Sequence, residues 1–382
     1  MDPSILDIEK IKSSFELHSS HPELSFNNHV RNKKIELGRS LDSLHAIYLD
    51  TRYWIFIRDA LLGNPQYPIH TNLLICLREL VAEKKIFCPI SNITLIEILK
   101  QTDVTSKRTL ALLVDELSLG VSFCPEQERT GTELAHFLYS CALDKADLHP
   151  LKWLVWNKIT SALVYTRVSA PKLDDKENLI MQKAFFDHLW DVSYSEMIKT
   201  IGIEKTLPQM PYDELAIKLT DLNNQYSNEL KSYKSTYLRE FSGALELTID
   251  LAIDIAEEIR QKYNKFQRDS ATSEAFSQHL LAIFTEAARK GLVSKVLPTL
   301  HIMANCHASI RWDKTRKLSG NDMPDFHHAS VALPYCTAFL TEKPLKDLLT
   351  SGNTKLDEDY SCKIISDSIE AYDFLTQLNT SN

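Results

Sequence analysis

Glycine is scarce in this chain, with nine in 382 residues. Turns and bulges consume glycine, so the shortage argues against an all-β architecture and for a helix-rich one. Cysteine is present but unpatterned. Cys76, Cys88, Cys124, Cys141, Cys306, Cys336 and Cys362 are odd in number and include no Cys-x-x-Cys pair. That argues against a disulfide framework or a thiolate zinc site, and fits a reducing compartment. No apolar run approaches the ~18 residues that a membrane span needs. Residues 1–12 contain Asp2, Asp7 and Glu9, without the basic start and apolar core of a signal peptide. A cytoplasmic protein with no membrane partner is expected. Excess positive charge is also missing: the net charge of −8 leaves no global footprint for nucleic acid. What remains, 44% hydrophobic and 25% charged residues, is the composition of an ordinary soluble globular protein.

The pattern along the chain is α/β at both ends and helical between them. Residues 1–40 read as a polar helical segment. A first half-domain over 41–126 opens with the apolar run Leu44–Leu49, which stops at Asp50 as a buried strand would. Helices are expected over 54–62 and 70–83, with Gly63-Asn64-Pro65 ending the first. Ile86–Ile90 reads as a second strand, Ser91 as the cap of the next helix, and Val121–Cys124 as a third strand after Gly120. Strand signals then nearly vanish over 127–310, where long amphipathic segments predict an all-α insertion. They include a helix over 148–168 and a longest candidate over 226–266, which Gly243 need not break. The second half-domain, 311–382, returns to alternation. A helix runs from Asp325, a strand follows at Ala338–Thr341, a helix at Leu345–Leu349, and a last strand at Cys362–Ser366.

Four carboxylates fall at comparable places in this pattern. Asp50 follows the first strand, Glu342 follows the strand 338–341, Asp325 opens the helix feeding that strand, and Glu97 lies in the helix after the second strand. Ligands bind outside the carboxyl ends of strands in open parallel sheets, so all four are candidates for one sheet edge. Carboxylates gathered so closely repel unless protonated or neutralised, and a divalent cation neutralises them. Oxygen ligands with few His or Cys favour Mg²⁺ or Mn²⁺. Asp322 is a further acid beside this group, competing with Asp325 for the roles of cap and ligand.

These residues resemble the motifs of PIN-domain nucleases. Asp50-Thr51 is similar to the first acidic motif, and Ser91-Asn92-Ile93-Thr94-Leu95-Ile96-Glu97 to the second. Asp325, with Ala332 seven residues on and Thr341 sixteen on, resembles the third motif and its strand. The likeness covers about 85 residues at 41–126 and about 60 at 321–382. It departs at the fourth acid, where Thr341-Glu342-Lys343 stands in place of the usual Asp. The resemblance implies a three-layer PIN-like fold with a central parallel sheet, interrupted here by the helical insertion. It implies RNA hydrolysis at a Mg²⁺ or Mn²⁺ centre held by Asp50, Glu97 and Asp325, with Asp322 and Glu342 as further ligands. Products would carry 5′-phosphate and 3′-hydroxyl ends. Thr51, Ser91, His327, His328 and Thr341 are then expected to support the ligands.

Other features carry less. Residues 231–320 have a local charge of +4, and Arg311, Lys314, Arg316 and Lys317 are candidates for RNA phosphates, against the reading of a solvated face. The insertion is a candidate surface for a regulatory protein partner. Arg129 and His136 touch the loose Arg–His spacing of helical HEPN-type ribonucleases, a pair that chance easily produces. His301, Cys306 and His307 suggest zinc only weakly, lacking a second ligand pair. Tyr53 and Trp54 suit core packing better than base stacking. Two other functions compete with the nuclease: a PIN-like scaffold weakened in catalysis, and a toxin or defence effector restrained by a partner.

Overall fold

His45–Leu49 forms strand β1, buried at every position but its first. A strand covered on both faces reads as a continuous apolar run, and this one does. The computed structural model describes residues 7–143, 148–162, 168, 173–203, 211–226, 228, 230–263, 273–313 and 316–380. The chain is largely helical, with short parallel strand pairs, and divides into two compact units.

The first unit comprises Met1–Pro125, Lys152–Pro208 and Asp367–Asn382. Here β1 pairs in parallel with β2 (Ile86–Phe87), setting His45 opposite Ile86 and Ala46 opposite Phe87. The Thr51–Leu61 helix leaves directly from the end of β1, and Gly63 follows its last turn at φ +80°. Pro68 opens the Pro68–Ala82 helix, where a missing N–H costs nothing. Ser91 caps the Asn92–Leu99 helix, accepting from the Thr94 N–H at 3.3 Å. Asp103 does the same for Val104–Ser118, at 2.6 Å from the Ser106 N–H. The chain turns into β3 (Val121–Phe123) through Leu119 and Gly120, both at positive φ.

An expected helix over 148–168 is mostly absent among the described residues. Leu151–Leu154 is α-helical, Trp156–Lys158 is strand β4, antiparallel to β3, and Ile159–Ala162 is a short 3-10 helix. The reason is tertiary: the Trp156 ring lies 4.6 Å from Phe123 and 5.3 Å from Phe87. The Ile8–Ser19 and Phe26–Ser40 helices belong to this unit, with Val30 packed on Phe186 and Trp190 of the Asp175–Trp190 helix. The last helix, Ser368–Thr380, packs on Pro68–Ala82, and the Lys85 ammonium donates to the Asn379 carbonyl at 2.9 Å.

The second unit comprises Glu126–Leu151 and Gln209–Ser366. Its core gathers Leu134 and Leu138 of Glu126–Ala142, Phe241 and Leu245 of Tyr233–Glu246, Ile259 of Ile249–Tyr263, and Phe284 of Ser273–Arg289. Each such side chain contributes roughly 1.5–3 kcal/mol through burial. Among the described residues of the candidate helix over 226–266 there are two α-helices, Tyr233–Glu246 and Ile249–Tyr263, broken at Leu247-Thr248 rather than at Gly243. Both the Thr248 N–H and its hydroxyl donate to the Leu245 carbonyl, which turns the chain. Asp322–Tyr335 begins three residues before the expected start and leads to β5 (Ala338–Leu340), which pairs in parallel with β6 (Lys363–Ile365). Lys152–Pro208 thus belongs to the unit of the N-terminal elements, and Gln209–Ser366 to the unit that opens at Glu126.

Candidate active site

In the first unit, Asp50 ends β1 with its carboxylate buried, and Oδ1 accepts from the Tyr53 N–H at 3.1 Å. It is therefore a helix cap. The next residue, Thr51, donates its hydroxyl to Oε2 of Glu97, a half-buried residue on the Asn92–Leu99 helix. A second tie lies nearby. The Tyr48 hydroxyl, on β1, shares hydrogen bonds with Ser91 Oγ at 2.7 Å and Thr94 Oγ1 at 3.2 Å. Ser91 thus caps its own helix and locks the helix start to the strand. These ties hold Glu97 at the strand end that carries Asp50. Tyr53 and Trp54 are fully buried and serve the core. Burial, with the Asp50 charge second, pushes the Tyr53 phenol well above its usual range.

The remaining acids lie in the second unit. Asp322 is buried and already answered by protein donors. The Arg316 guanidinium reaches Oδ1 at 2.6 Å, and Oδ2 accepts from the Ser319 N–H at 2.7 Å and its hydroxyl at 2.8 Å. Asp325 sits in the first turn of the same helix, half-buried. His327 pairs with Glu126, whereas His328 is buried. Burial acts to raise the Glu126 carboxyl, but the His327 hydrogen bond and charge, aided by Arg129, hold it below its usual value. The Thr341 N–H donates to the Ile365 carbonyl at 2.8 Å, extending the β5–β6 ladder, while its buried Oγ1 has no hydrogen-bond partner. Glu342 is the N-cap residue of Lys343–Leu349 without a side-chain capping bond.

The four basic candidates have different surroundings. Arg311 is paired with Glu240, Arg316 with Asp322, Lys317 is exposed, and Lys314 lies outside the described residues. Arg129 is buried, donating to Thr299 Oγ1 at 2.9 Å and Ser330 Oγ at 3.0 Å, while His136 meets the His149 carbonyl. Arg129 and His136 thus meet separate partners. His301, Cys306 and His307 find separate surroundings. His301 lies between the Tyr237 hydroxyl (2.8 Å) and Asp359 (2.9 Å), Cys306 is buried, and His307 meets the edge of Phe326.

One grouping had no signature in the sequence. His18, His29 and Asp187 bring their ligand atoms within 4.8 Å of one another in the first unit. Their separations along the chain match no short motif, because three different helices supply them. No protein-family model matches this chain, and neither a curated protein nor a solved structure matches it.

Proposed function

We propose that this protein is a divalent-metal-dependent ribonuclease with a PIN-like fold, hydrolysing RNA phosphodiester bonds in the cytoplasm. The supporting observation is the Thr51–Glu97 hydrogen bond, which ties one acid, Glu97, to the residue that directly follows another, Asp50. Such a set of oxygen donors fits Mg²⁺ or Mn²⁺ rather than a softer metal. In this reading Asp50 and Glu97 are ligands, and the family resemblance adds Asp325, with Asp322 and Glu342 as further acids. A bound ion supplies a water of lowered pKa and charge stabilisation at the leaving oxygen. Thr51 keeps Glu97 turned toward the strand end, and Asp50 holds its own orientation through the Tyr53 N–H. Exposed Lys317 is the basic residue best suited to phosphate contact.

A second reading, a scaffold weakened in catalysis that recruits a protein partner, is favoured by the Arg316–Asp322 pair, which neutralises one acid without an ion. Incubating the purified protein with mixed RNA, in Mn²⁺ or in chelator, separates the two. The nuclease gives metal-dependent fragments with 5′-phosphate ends, and Asp50→Asn and Asp325→Asn each abolish them. Equal RNA recovery in all conditions supports the scaffold. Growth arrest on induction, lost in Asp325→Asn, would mark the nuclease as a toxin or defence effector.

A further inference from the structure

We propose that His18, His29 and Asp187 form a zinc site, distinct from the carboxylates assigned to Mg²⁺ or Mn²⁺. The inference is independent of the nuclease reading. The three residues come from the Ile8–Ser19, Phe26–Ser40 and Asp175–Trp190 helices. His18 Nε2 lies 2.8 Å from Asp187 Oδ2, and His29 Nε2 lies 2.8 Å from Asp187 Oδ1. The two imidazoles meet edge-to-face, with ring centroids 4.6 Å apart. Both rings are buried, and the carboxylate side chain is 13% exposed.

Ligand type selects the metal. Two imidazole nitrogens and one carboxylate suit Zn²⁺, whereas Mg²⁺ prefers oxygen throughout. Ligand atoms of a tetrahedral zinc ion sit roughly 3.3 Å apart, given its ~2.0–2.1 Å bonds. All three ligand atoms already approach that spacing, within 4.8 Å of one another. A shared ion would take both ring nitrogens and a carboxylate oxygen in place of the present N–O hydrogen bonds. A bound metal ligand also needs an outer hydrogen-bonding partner. Asp187 has one in Ser14, whose hydroxyl donates to Oδ2 at 2.7 Å, and a cation in Lys33, 3.5 Å from Oδ1. Lys33 is itself a third exposed, with side-chain exposure of 32%, so it can withdraw when the ion arrives. Three protein ligands leave a fourth position for water. The ion would fasten both N-terminal helices to the Asp175–Trp190 helix.

The test uses the full chain, stripped with chelator and titrated with Co²⁺ and then Zn²⁺. Uptake of one equivalent is expected, with the intense visible bands of tetrahedral Co²⁺ and their bleaching by one equivalent of Zn²⁺. X-ray absorption at the zinc edge should show two imidazoles on the bound ion, a readout that needs no variant. His18→Gln, His29→Gln and Asp187→Asn should weaken zinc binding more than the ~10–100-fold that loss of an outer partner costs, and Ser14→Ala should fall within that range. Asp50→Asn and Glu97→Gln should bind zinc as wild type does. The proposal is overturned by a folded wild type that takes up no stoichiometric zinc or by bound zinc without imidazole. Affinity unchanged in both His29→Gln and Asp187→Asn overturns it equally.

Discussion

The Thr51 hydroxyl donates to the Glu97 carboxylate, joining the first residue of the Thr51–Leu61 helix to a residue 46 positions downstream. This bond orients the Glu97 carboxylate rather than neutralising it. In the proposed nuclease, Thr51→Val is expected to raise the Mn²⁺ concentration for half-maximal RNA cleavage about 10-fold, the cost of an outer hydrogen-bond partner. Thr51→Ser should restore it. Cleavage measured across a Mn²⁺ series checks both.

Gly38 lies on the Phe26–Ser40 helix against Trp153. A Cβ there would stand 2.4 Å from the Trp153 Cα and 2.7 Å from its carbonyl oxygen. Backbone atoms cannot swing aside as a side-chain tip does. Gly38→Ala should therefore destabilise by about 1–3 kcal/mol. Gly243, inside the Tyr233–Glu246 helix with nothing within 4 Å of its built Cβ, makes the opposite control. Gly243→Ala should stabilise by roughly 0.5–1 kcal/mol. Urea midpoints at unchanged m-value measure both.

Arg129 and Glu133 are buried together around Thr299, which accepts from Arg129 at 2.9 Å and gives its N–H to Glu133 at 3.0 Å. Burial raises the Glu133 carboxyl, and the Arg129 charge opposes that rise. Removing the guanidinium leaves the carboxylate without its cation. Arg129→Met should cost about 3–5 kcal/mol, and Arg129→Met with Glu133→Leu should recover part of the loss. A double-mutant cycle in urea reads the coupling.

His70 is buried, stacked on Phe56 at 4.1 Å and hydrogen-bonded to Ser368 at 3.2 Å. Burial first, then the Arg52 charge, push its imidazole below the ordinary value of 6.5. The unfolded chain therefore binds this proton more readily than the folded one. The stabilising contribution is complete above the unfolded value of 6.5 and is lost as pH falls from there toward the folded value. An NMR titration should place the His70 midpoint below 6.5. His70→Leu should flatten the decline in stability between neutral and mildly acidic pH.

Local elements were legible where their causes lie within a turn of the chain. Ser91 as a cap, Asp50 as the end of β1, and Gly63 and Gly120 as stops depend on neighbours a few residues away. Proximity along the chain made them readable. The β4 strand was not legible, because Trp156 is extended by partners at Phe87 and Phe123 rather than by its own neighbours. The start of the Asp322–Tyr335 helix lies upstream of the expected one although its cause is local, with Arg316 and Ser319, six and three residues back, satisfying Asp322.

The candidate sites divide along the same line. Sequence alone determined the chemistry on offer: carboxylates at strand ends, unpatterned cysteines, and no membrane-length apolar run. Tertiary structure decided which groups meet. It turned Arg311 and Arg316 inward onto Glu240 and Asp322, brought Thr51 to Glu97, and gathered His18, His29 and Asp187 from three helices. Hydrogen bonds and ion pairs act over a few ångströms of space, and separation along the chain does not encode that distance.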